Sequence, residues 1–102
     1  MQLEFYSVEE LKKAVLEIVG KYLDLNLYKI FFFGSRVSRL AGSRADIDIG
    51  IEGAAEVPVE IKLKIEEELE ELPTLYKLDF VDFGNVSDKF KREAMRNVEY
   101  VR

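Results

Sequence analysis

Two aspartates, Asp46 and Asp48, alternate with isoleucines in the stretch DIDIGIE, residues 46 to 52. Strict alternation of polar and apolar residues is the pattern of a β-strand, whose side chains two apart leave the same face. The two carboxylates therefore project together with α-carbons roughly 6.5–7 Å apart. Ile47, Ile49 and Ile51 fill the opposite face. Like charges about 6 Å apart repel by roughly 3 kcal/mol at an effective dielectric near 20, a substantial fraction of a small domain's stability. A hard divalent cation turns that repulsion into shared ligation, and carboxylate oxygens suit such cations. The plainer alternative is the polar, solvent-facing side of an edge strand, which needs no ion.

A third acid bears on the choice. Asp79 sits in YKLDFVDF, residues 76 to 83, among Leu78, Phe80 and Val81. If that strand pairs beside the 46–52 strand, its carboxylate completes a cluster of Asp46, Asp48 and Asp79. Asp82, three residues on, goes to the other face of a regular strand and reads as structural. Three carboxylates around one or two magnesium ions suit phosphoryl and nucleotidyl transfer. Charge builds there on both the attacking and the leaving oxygen, and metals about 4 Å apart bridge both.

Gly34-Ser35, after the apolar run LYKIFFF, supplies a candidate phosphate contact. Glycine lets backbone approach a phosphate closely, and a helix starting at Ser35 aims its free amides at the anion. A Gly-Ser pair alone is more often a turn; followed after ten residues by Asp-x-Asp on the next strand, it carries more weight. Residues 35 to 44 also hold Arg36, Arg39 and Arg44 with no acid among them. Arg36 and Arg44 could contact a polyphosphate, although three arginines equally make ordinary solvated surface.

Composition narrows the chemistry. The 102 residues contain no cysteine and no histidine, so they offer no thiol or imidazole catalysis and no ordinary zinc ligands beyond carboxylates. A net charge of −5 argues against a general nucleic-acid binder. No apolar run approaches the roughly 20 residues of a membrane span, and MQLEFYSVEELKK lacks the order of a secretory signal. The expectation is a soluble, cytoplasmic protein with no membrane contact.

The elements that must hold these residues are legible. Ser7-Val8-Glu9-Glu10 has capping-box form, and apolar residues at helical spacing from Val8 to Tyr22 predict a helix over 8–23. Residues 27–34 and 46–52 read as strands, with a short helix from Ser35 to near Gly42 between them. Residues 59–72 alternate like a strand in part, but Ile61, Ile65, Leu69 and Leu72 share a helical face, and Pro58 and Pro73 bracket a helix. A third strand over 76–83 follows, and Ser87 then caps a last helix with Phe90, Ala94, Val98 and Val101 on one side. The expectation is one α/β (α+β) domain over residues 1–102, in the order α-β-α-β-α-β-α, with a small three-stranded mixed sheet and flanking helices.

Gly34-Ser35-Arg36, the spacing to Asp46-Ile47-Asp48 and the later Leu78-Asp79-Phe80-Val81 resemble the minimal nucleotidyltransferases of the polymerase-beta-like superfamily. The likeness covers nearly the whole chain, and at this length it is closest in kind to the antitoxin partners of HEPN-domain toxins. The resemblance implies a nucleotidyltransferase-like fold and transfer of a nucleoside monophosphate, commonly AMP from ATP, onto a tyrosine hydroxyl of the toxin. It implies that Gly34 and Ser35 bind the triphosphate, that Asp46 and Asp48 bind two magnesium ions, and that Asp79 binds the catalytic ion and assists deprotonation of the acceptor. The sequence departs from the family pattern at Arg39, where a second glycine is frequent, and at Ala45, where a serine often precedes the first aspartate. The competing expectation is an antitoxin that neutralises its partner by occlusion and keeps a remnant nucleotide site, with Val59 and Leu63 as a contact surface.

Overall fold

In a computed structural model of the chain, the residues described are 6–34, 46–74 and 76–102. The short helix expected from Ser35 to Gly42 lies outside them.

The first helix, α1 (Val8–Gly20), starts where the capping pattern predicts: the Ser7 side chain accepts a hydrogen bond from the Glu10 amide. Glu9 and Glu10 in its first turn favour the positive end of the helix dipole. Leu11, Val15, Ile18 and Val19 are its buried stripe. It ends three residues before the expected boundary, because Lys21 and Tyr22 donate to carbonyls only three residues back. That is a tightened last turn.

Strand β1 (Tyr28–Phe33) is antiparallel to β2 (Ile47–Gly53). Ile30, Phe31 and Phe32 are fully buried, so the strand is covered on both faces and its sequence is continuously apolar rather than alternating. Gly50 explains how Phe31 fits: a β-carbon there would fall 2.4 Å from the Phe31 ring, its cross-strand partner. Glycine leaves the space that ring occupies.

A crossover through helix α2 (Val59–Glu70) brings the chain to β3 (Leu78–Asp82), which runs parallel to β2. The helical reading of this ambiguous segment holds, with Ile65 and Leu69 buried against the sheet. A 3-10 turn, Phe83–Asn85, leads to α3 (Asp88–Ala94), capped by Ser87 accepting from the Phe90 amide.

The last helix is shorter than expected. It stops at Ala94, and Val98–Tyr100 forms strand β4, antiparallel to β1. Val98 and Val101 continue a helical spacing from Phe90 and Ala94, but β1 offers an open edge whose buried amides and carbonyls need partners. Pairing with β4, extended by the Ile30–Arg102 and Val101–Ile30 backbone bonds, satisfies them. The sheet is therefore four-stranded, ordered β3-β2-β1-β4, rather than three-stranded.

The two faces of this mixed α+β sheet carry different cores. Ile30, Phe32, Ile47, Ile49, Ile51 and Phe80 pack under α1 and α2. On the other side, Phe31, Phe33, Phe83 and Ala94 form a smaller aromatic cluster beneath α3. Among the described residues, no helix is long and apolar enough to cross a membrane.

Candidate functional site

Alternation along β2 and β3 decides where the acids go. Ile47, Ile49 and Phe80 belong to the core under α1 and α2, so Asp48 and Asp79 leave the opposite face. The parallel register pairs Asp48 with Asp79 directly. The antiparallel register pairs Asp48 with Phe33, the last residue of β1. A single row across the sheet thus reads Val98, Phe33, Asp48, Asp79.

Gly34 follows Phe33 with φ +85°, a backbone conformation L side chains rarely adopt. A β-carbon on it would lie 2.7 Å from Oδ2 of Asp48. The glycine read as a phosphate contact is therefore in close approach to the first paired acid; its positive φ disfavours a side chain, and a β-carbon there would also displace the Asp48 carboxylate.

Asp48 is partly buried, and its carboxyl is pushed above the ordinary carboxylate range by burial first, then by the charges of Asp79 and Asp46. Asp79 is likewise half-buried, with Lys77 Nζ 3.9 Å from its Oδ1. Lys77 is two residues before Asp79, so the same period-two argument that joined Asp46 to Asp48 could have found it. The Lys77 carbonyl also accepts from the Ile47 amide, which ties the starts of β2 and β3 together.

Asp46 stands just before the first paired residue of β2 and is exposed. Pairing locks Asp48 and Asp79 but not Asp46, and among the described residues no group of three carboxylates is close enough to hold a metal ion. Two paired carboxylates still suit magnesium, which is commonly held by one or two protein carboxylates together with phosphate oxygens rather than by a complete protein cage. Ser35, Arg36, Arg39, Arg44 and Ala45 lie outside the described residues.

Asp82 is structural, as its position predicts. Buried on the far face, it accepts from the Val57 amide at 2.8 Å and the Gly84 amide at 2.9 Å, fastening the start of α2 to the turn after β3.

The family model described as polymerase beta, nucleotidyltransferase matches residues 13–101. No curated protein matches the chain. Among solved structures, a mutant form of the MntA–HpeT toxin–antitoxin superposes with TM-score 0.71 at 14% identity, covering 89% of this chain and 71% of that one. A toxin–antitoxin structure with AMP-PNP gives the same TM-score at 16% identity, covering 89% and 72%. A tri-AMPylated Shewanella oneidensis HEPN toxin in complex with its MNT antitoxin matches with TM-score 0.62 at 18% identity, over 93% and 72%.

Proposed function

The chain belongs to the polymerase beta nucleotidyltransferase family, and from that premise we propose that it is a magnesium-dependent nucleotidyltransferase acting as an antitoxin in the cytoplasm. It transfers AMP from ATP to a hydroxyl, a tyrosine of a HEPN-domain toxin. The observation that carries the reading is the register of Asp48 with Asp79 beside the positive-φ Gly34. The partner and nucleotide are supported by the similar structures, one holding AMP-PNP and one a tri-AMPylated HEPN toxin with an MNT antitoxin.

In this reaction the acceptor oxygen forms a bond to the α-phosphorus, and the bond from that phosphorus to the bridging oxygen breaks. Pyrophosphate leaves with the electron pair. Asp79, paired with Asp48 across β2 and β3, assists deprotonation by taking the acceptor's proton. Asp48 and Asp79 would hold magnesium together with phosphate oxygens, with Asp46 alongside only once nucleotide is bound, and the ion would supply charge neutralisation at the oxygens where charge develops. Gly34 and Ser35 hold the triphosphate by backbone amides, and Arg36 and Arg44 add positive charge beside it. Most of the acceleration comes from positioning and preorganised charge, because the triphosphate already carries a good leaving group.

The test is incubation of the purified chain with magnesium, each nucleoside triphosphate and its HEPN-domain partner, followed by mass spectrometry of the partner. Addition of AMP to a tyrosine is expected; no transfer from any nucleotide sinks the reading.

A second reading, inhibition by occlusion with a remnant nucleotide site, is favoured by one observation. Val59 and Leu63 are 69% and 54% exposed on the outer face of α2. Asp48→Asn separates the two: a variant that binds the toxin normally and still silences it supports occlusion.

A further inference from the structure

Phe90, in the first turn of α3, keeps 42% of its surface exposed although its ring packs against two others. Its centroid is 6.1 Å from that of Phe33, at an interplanar angle of 80°, and 5.8 Å from that of Phe83. Phe33 is the cross-strand partner of Asp48 and immediately precedes Gly34. The Phe90 ring therefore packs directly on the residue that neighbours Asp48 across the β1–β2 pair. It does so on the face that carries the paired acids.

The aromatic core does not need this ring's outer side. Phe83 already closes edge-on against Phe31 and Phe33, at centroid distances of 4.9 and 5.0 Å. What remains is an exposed π surface backed by the rings beneath it, against the residue that precedes Gly34. A nucleoside that extended from a triphosphate held at Gly34 and the acids over this part of the sheet face would meet that ring. Aromatic side chains bind bases by stacking, and every base has a π face to offer.

We propose that Phe90 is the stacking surface for the nucleobase of the bound nucleoside triphosphate. The inference rests on the transferase reading above and deepens it. Stacking of this kind distinguishes a nucleotide from a bare polyphosphate and discriminates only weakly among bases.

The full chain contains no tryptophan, so Phe90→Trp introduces a single indole fluorophore. With magnesium present, AMP-PNP is expected to quench its emission and inorganic tripolyphosphate is not. Phe90→Ala is expected to weaken AMP-PNP binding by roughly ten-fold while leaving tripolyphosphate affinity unchanged. Phe90→Leu keeps apolar bulk without a π face; it replaces the alanine variant if that one fails to fold, with the same loss expected. Unchanged AMP-PNP affinity in these variants overturns the stacking proposal and leaves the transferase reading standing. Loss of toxin binding with nucleotide affinity intact overturns it too, assigning the ring to a protein contact. A wild-type chain that binds neither ligand overturns both.

Discussion

Asp48 and Asp79 are register partners across the parallel β2–β3 pair, and their carboxylates leave the same face of the sheet. Burial, and after it the charges of Asp79 and Asp46, raises the Asp48 carboxyl above its ordinary value. A group whose folded value lies above its unfolded one contributes stability fully below the unfolded value and loses it as pH rises through the folded value. At neutral pH, ionised Asp48 therefore works against the fold. Asp48→Asn is expected to stabilise the magnesium-free protein at pH 7 by about 1 kcal/mol after allowance for solvent screening, roughly 5 °C in melting temperature. The advantage should vanish below the unfolded carboxyl value. Calorimetry across pH in the presence of a chelator measures both, and the same variant should lose nucleotide transfer.

Gly34→Ala tests the close approach at the end of β1. The positive φ costs a side chain roughly 1–2 kcal/mol, and the new methyl meets the Asp48 carboxylate. Urea denaturation should show a loss of that size. Triphosphate affinity should fall as well, which distinguishes this position from a turn glycine of no functional consequence.

The two acids of β3 should separate cleanly. Asp82→Ala removes two charge-assisted bonds and leaves the Val57 and Gly84 amides without their acceptor, for an expected loss of about 2–4 kcal/mol. Below its lowered melting temperature that variant should still bind nucleotide. Asp79→Asn, at a position less buried than Asp82, is expected to change stability by no more than about 0.5 kcal/mol and to abolish transfer. Melting curves and a transfer assay on both variants decide the assignment.

Val59→Lys with Leu63→Lys probes the outer face of α2. Both residues are exposed, so stability should move by less than about 1 kcal/mol for the pair. If the toxin seats on this face, its dissociation constant should rise at least ten-fold, about 1.4 kcal/mol. Calorimetric titration with the partner reads this directly, and an unchanged constant removes the helix from the interface.

The placement of the site was legible where periodicity was strong. DIDIGIE alternates so strictly that the faces of Asp48 and Ile49 follow from the residues alone, and the same rule sent Asp79 and Asp82 to opposite sides. Two features were not legible. The Val98–Tyr100 strand was hidden because Phe90, Ala94, Val98 and Val101 satisfy a helical spacing; what overrode it was the open edge of β1, a tertiary demand absent from the local pattern. The unequal standing of Asp46 depended on where pairing begins, at Ile47 opposite Leu78, and register between strands joined by a long crossover is set by packing. The expected roles of Ser35, Arg36 and Arg44 belong to a segment outside the described residues.

The strand order places β3 at a margin of the sheet and β2 in its interior. Amide hydrogens of interior strands exchange with solvent mainly when the whole domain opens, whereas a border strand opens locally and at lower cost. The paired acids therefore straddle two tiers of local stability: Asp48 sits on an interior strand, and Asp79 on a border strand that opens at lower cost.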